Sequence, residues 1–154
     1  MLDRGRQPIA EPRAQNKSVA GGRLDAVGVV VGDLKRSVLF YRGLGVPFPE
    51  GAEESEHGHA EAPLDGGMRL MLDTEEGIKS FDPSWRRAAG SPAVSLAIRC
   101  DSAAAVDQLY AQAMKSGGHP HKEPWDAFWG QRYAQLRDPD GNAVDLYAEL
   151  DRPA

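Results

Sequence analysis

Residues 125–150 read WDAFWGQRYAQLRDPDGNAVDLYAEL, two alternating runs around a turn at Asp138, Pro139, Asp140, Gly141 and Asn142. Pro139 presets φ for the second position of a turn, and Gly141 takes positive φ without steric cost. Ahead of the turn, Ala134 and Leu136 point one way while Trp129, Gln131, Tyr133 and Gln135 point the other. After it, Val144, Leu146 and Ala148 alternate with Asp145, Tyr147 and Glu149. Side chains alternate faces along a strand, so each run has an apolar face and a polar, aromatic one. The pattern predicts a hairpin with one side on a core and the other lining something wet. Function belongs on the wet face.

Upstream, Leu24 to Val31 reads as a strand with Val27, Val29 and Val31 on one face. Asp33 suits a helix N-cap, and Leu34, Val38, Tyr41 and Leu44 then recur at helical spacing until Gly43 or Gly45 ends the helix. Glu53 to Glu61 alternates in the manner of a very polar strand, and Met68 to Asp73 (MRLMLD) reads as another, with Leu70 and Leu72 toward the core. Pro92 to Arg99 restarts the pattern as a strand with Val94, Leu96 and Ile98 on one face. Asp101 caps a second helix that carries Val106, Leu109, Tyr110, Ala113 and Met114 and stops at Gly117-Gly118. A polar segment, His119 to Asp126, leads into the hairpin. The caps Asp33 and Asp101 make two halves at an offset of 68 residues. Neither half can bury a helix and sheet alone, so the fold class is α+β with the halves paired.

The string GDLKRSVLFYRGLG (residues 32–45) resembles the first strand–helix junction of the glyoxalase/bleomycin resistance protein/dioxygenase family, in the vicinal oxygen chelate superfamily. The run from Trp129-Gly130 through DPDGN to the acidic end of the last strand resembles the close of such a domain. The resemblance implies one domain over 24–150, built of two βαβββ modules forming a curved mixed sheet with helices outside. The repeats are 24–73 and 92–150. Residues 74–91 are the linker, long enough for a short helix or a lid. Residues 1–23 hold five basic against two acidic side chains, lack periodicity, and read as a disordered tail.

Composition bounds the rest. With 41% hydrophobic and 27% charged residues, the chain is of the soluble globular class. No apolar run is long enough to span a membrane, and no secretory signal is visible at the N-terminus. Cys100, alone in the chain, cannot form an internal disulfide, so a reduced cytoplasm is expected. The net charge of −5, with +3 in residues 1–23, leaves −8 for the body. An acidic body argues against nucleic acid and favours a neutral or cationic small molecule.

Metal-dependent members of the family hold a divalent ion with four side chains. The resemblance places those positions here at Ala26, Met71 (or, two residues along, Asp73), Ser95 and Asp145. Three are not fit for the task, and one carboxylate does not hold a catalytic ion. The expectation is therefore no cofactor, and a binding protein whose cleft face presents Met71, Ser95, Tyr133, Asp145 and Tyr147. Trp125, Phe128 and Trp129 add flat apolar surfaces, although each also fits core or dimer-interface packing. Metal-free members include antibiotic-sequestering proteins that bind a drug at a homodimer interface, and sequestration is the most concrete version of this reading. The alternative is a lyase, isomerase or dioxygenase using a non-standard metal set such as Asp73 with Asp145, or Asp145 and Tyr133 as an acid–base pair. His57, His59 and Glu61 alternate as a metal set would, but the segment also reads as a solvated edge.

Overall fold

The computed structural model describes residues 21–151. In chain order it contains β1 (Ala26–Val31), α1 (Leu34–Gly43), β2 (His59–Pro63), β3 (Arg69–Thr74), α2 (Glu75–Lys79) and β4 (Ser95–Arg99). Next come α3 (Ala103–Lys115), β5 (His119–Asp126), β6 (Gln131–Arg137) and β7 (Ala143–Glu149). The α+β architecture with two repeated modules is present, and hydrogen bonding gives each module its own mixed sheet. The first is ordered β1-β3-β2, with β1 parallel to β3. The second is ordered β4-β7-β6-β5, with β4 parallel to β7. The basic tail falls almost wholly on residues outside those described.

The two longer helices, α1 and α3, start and stop where local chemistry dictates. The Asp33 carboxylate accepts from the Arg36 N–H at 2.8 Å, and Gly45 at φ 95 closes α1, with Gly45 N–H donating to Arg42 O and Val46 N–H to Tyr41 O. That pair of bonds is the left-handed glycine stop. At α3 the cap is Ser102, whose hydroxyl accepts from Ala105 N–H at 3.1 Å, and not its neighbour Asp101. The true offset between the caps is 69, from Asp33 to Ser102. At the far end Gly118 is held tight: a Cβ there would lie 2.8 Å from Ala113 O and 3.0 Å from the Phe40 ring. Only glycine lets the two halves approach so closely.

Three element boundaries differ from the sequence reading. Residues 53–58 do not extend the polar strand. Pro47, Pro49 and the positive-φ Gly51 and Gly58 break the segment, leaving a 3-10 turn at Ala52–Glu54 and a strand only from His59. The first module consequently has one strand fewer than the second. Pro92 to Val94 lie outside β4, and Val94 is 70% exposed instead of facing the core. Finally, His119–Asp126 is a strand, pairing antiparallel with β6 through two register shifts. In the linker, α2 supplies the short helix, with Thr74 as its cap.

One core runs through both modules. Val31, Val38, Leu70 and Leu72 from the first half are buried together with Val106, Leu136, Val144 and Leu146 from the second. The joint is polar as well as apolar. Asp138, fully buried, accepts the Tyr41 hydroxyl at 2.7 Å, the backbone N–H groups of Asp140 and Asn142 at 2.8 Å, and Asn142 Nδ2 at 2.8 Å. Burial, with the carboxylate of Asp138 second, pushes the Tyr41 phenol far above its ordinary range. Asp140 in turn accepts from Gly32 N–H at 3.0 Å and from Arg36 at 2.9 Å. The DPDGN turn thus keys the second module onto the first strand–helix junction.

Candidate functional site

The second sheet turns one face, carrying Ala134, Leu136, Val144, Leu146 and Ala148, into the core against α3. Its other face carries a cross-strand row. Trp125 on β5 is opposite Tyr133 on β6, Tyr133 is opposite Tyr147 on β7, and Tyr147 is opposite Arg99 on β4. Directly opposed side chains are the contacting units of a sheet. The Trp125 and Tyr133 rings meet edge-on with centroids 5.5 Å apart, and the two tyrosines lie near-parallel at 6.4 Å. Trp129, from the β5–β6 connection, packs edge-on against Trp125 at 6.0 Å and Tyr133 at 5.3 Å. Phe128, 97% exposed, stands against Trp129 at 5.0 Å.

Polar groups fix this surface from below and at its ends. Tyr133 donates to Asp145 Oδ2 at 2.6 Å, and the Trp129 indole N–H donates to Gln131, which donates to Glu149, each at 2.8 Å. Desolvation, with the Asp145 carboxylate second, pushes the Tyr133 phenol up to about 12. At neutral pH Tyr133 is therefore a proton and hydrogen-bond donor, and in a Tyr133–Asp145 acid–base pair it takes the part of the acid. The ends are cationic: Lys122 Nζ lies 4.0 Å from the Trp125 ring and Arg99 6.0 Å from the Tyr147 ring. The cation sites on those two rings are already taken by this chain's own side chains. Of the neutral and cationic ligands that the acidic composition favoured, a flat, uncharged one fits better.

Six of the eight residues singled out in the sequence, Trp125, Phe128, Trp129, Tyr133, Asp145 and Tyr147, stand on or around this row. Ser95 is exposed on the same face, two alternations along β4 from Arg99. Met71 lies on β3 of the first sheet, opposite Gly28, with its terminal methyl 3.8 Å from where a Cβ on that glycine would sit. The cations at the ends, Lys122 and Arg99, were not singled out. Their signal is the register across β4–β7 and β5–β6, which alternation within one strand does not carry.

The metal positions implied by the resemblance do not form a ligand set. Gly28 is paired with Met71 in the first sheet as Ala97 is with Asp145 in the second, so Met71 and Asp145 occupy equivalent places. Ala26 and Met71 offer no hard donor, and the Asp145 carboxylate is engaged by Tyr133. Asp73 is engaged elsewhere, and no group of three His, Cys, Asp or Glu side chains among the described residues is placed to hold an ion.

That elsewhere is a charge ladder on the first sheet. His59 Nδ1 lies 2.6 Å from Asp73 and Nε2 2.7 Å from Glu61, while Arg69 joins Glu61 at 2.6 Å to Asp25 at 2.7 Å. Each His59 nitrogen faces a carboxylate oxygen, an arrangement that favours the protonated ring. Those bonds, Glu61 first and Asp73 second, raise the His59 pKa. A raised folded-state pKa contributes stability that is complete below about 6.5 and is lost as pH climbs through the folded value. The side chain is 38% exposed, so screening holds the effect below about 1 kcal/mol. Urea midpoints should fall gently from pH 6 to pH 9, and His59→Gln should flatten that slope.

Comparison with known proteins agrees with this architecture. The family model "Glyoxalase/Bleomycin resistance protein/Dioxygenase superfamily" matches residues 23–146. The uncharacterized protein YraH of Bacillus subtilis (strain 168) is 28% identical over 131 residues, 83% of this chain and 99% of that protein. A crystal structure of a family enzyme from Burkholderia phytofirmans PsJN superposes with TM-score 0.71 at 20% identity, covering 84% of this chain and all of that one. A lactoylglutathione lyase from Agrobacterium tumefaciens superposes with TM-score 0.56 at 19% identity, covering 83% and 94%. At these identities the structural matches establish the fold.

Proposed function

We propose a function from a settled premise: the chain belongs to the glyoxalase/bleomycin resistance protein/dioxygenase superfamily. In our reading it is a metal-free binding protein that captures a small, flat, hydrophobic or aromatic molecule on the aromatic face of its second sheet. The observation that carries this reading is the half-buried row Trp125–Tyr133–Tyr147 with the exposed Trp129 and Phe128 beside it, where Trp129 and Tyr133 are held by hydrogen bonds that a ligand need not supply. Large exposed aromatic patches on soluble chains mark binding surfaces. Sequestration of an antibiotic is its most concrete form, with a homodimer in the cytoplasm as the working state. The projecting Phe128 supports a second protomer or a ligand at that corner. Among the described residues no helix is long and apolar enough to cross a membrane.

The second reading, a lyase, isomerase or dioxygenase with an unusual metal set, draws on the 2.6 Å Tyr133–Asp145 contact alone. Metal content separates the two. Purified protein incubated with zinc, nickel, manganese or iron(II) and then desalted should carry less than about a tenth of an equivalent of any of them. Retention near one equivalent, lost in Asp145→Ala, would overturn metal-free capture and call for assay as an enzyme.

A further inference from the structure

We infer that the groove between the free edge of β1 and the start of β4, roofed by residues 85–94, is a second ligand site for a small apolar carboxylate. It holds about 650 Å³ and shares no residue with the aromatic row. That volume lies within the range of about 300–1,000 Å³ usual for small-molecule sites.

The walls are apolar where a hydrocarbon body would lie. Val27, Val29, Leu96, Pro92, Val94 and Trp85 are among its lining residues. Val94, just ahead of β4, is a large apolar side chain left 70% exposed. An apolar body in the groove would cover it.

The charged side chains that line the groove are committed with one exception. Arg87 is held by Glu75 at 2.9 Å and by the Val30 carbonyl at 3.1 Å. Asp140 is held by Arg36 and by the Gly32 N–H. Arg86 donates only through Nη1, to the carbonyls of Pro83 and Trp85, and has no carboxylate within ion-pair distance among the described residues. Its Nε and Nη2 edge, the planar fork that takes a carboxylate side-on, is left for a ligand. The groove therefore carries one net positive charge beside an apolar floor.

The experiment follows the indole N–H signals of Trp85, Trp125 and Trp129 in the 15N-labelled full chain, with Trp85 assigned from Trp85→Phe. Addition of 4-phenylbutyrate should move the Trp85 signal saturably in the millimolar range or below, and 4-phenylbutylamine should not. Arg86→Gln, an exposed change that leaves the fold intact, should weaken the carboxylate about tenfold or more, as loss of a charge-assisted bidentate pair does. Arg86→Lys should restore part of the affinity, since charge returns without the fork. A motionless Trp85 signal, equal binding of the amine, or an unchanged titration in Arg86→Gln would each overturn the proposal. Shifts confined to Trp125 and Trp129 would do so as well, because they place the acid on the aromatic row.

Discussion

Asp138→Ala should destabilise the protein by about 3 kcal/mol, the largest single effect expected outside the apolar core. Asp138 is fully buried and accepts four hydrogen bonds, one from the Tyr41 hydroxyl of the other module. Alanine removes every acceptor at once and leaves a buried phenol and two backbone N–H groups without partners. An unsatisfied buried donor costs about 1–3 kcal/mol, and bonds to an ionised acceptor lie at the upper end. Tyr41→Phe loses one bond and leaves three, so about 1–2 kcal/mol is expected. The double variant should cost less than the sum, since both changes break the same contact. Urea denaturation reads all three as a lowered midpoint with an unchanged slope. An Asp138→Ala loss below about 0.5 kcal/mol would show that the DPDGN turn does not lock the modules together.

Trp125→Ala should weaken a flat neutral ligand by about thirtyfold, or roughly 2 kcal/mol. Trp125 touches both Trp129 and Tyr133, and its other face carries Lys122. Its removal takes away a wall of the surface and loosens two neighbours. Aromatic anchors of this kind dominate interface energetics because they bring area at low entropic cost. Leu39→Ala, on the exposed side of α1, is the control and should leave affinity unchanged. Trp129→Ala should fall between the two, since Trp129 is 45% exposed and bonded to Gln131.

Much of this was readable in the chain because the deciding signals are local. The DPDGN turn, the Asp33 cap and the glycine stop of α1 each depend on residues within a few positions of one another. The period-two alternation of β6 and β7 likewise sorted Tyr133, Asp145 and Tyr147 onto one face. Long-range pairings were not readable. Turn chemistry explains Asp138 without hinting that Tyr41, 97 residues away, would reach it. In the same way β5 was hidden: HPHKEPWD contains two prolines and needs two register shifts to pair, as an edge strand tolerates. Asp101 and Ser102 are both competent caps in adjacent places, and only the backbone decides for Ser102. The groove beneath 85–94 had no periodicity to announce it.

The most direct test of metal-free capture on the aromatic row is a fluorescence titration with prodan, a flat, uncharged naphthalene, in the presence of excess EDTA. The account predicts saturable enhancement with micromolar affinity, the same with and without the chelator, and about thirtyfold weaker in Trp125→Ala. Binding that vanishes with EDTA, or that Trp125→Ala leaves untouched, would contradict it.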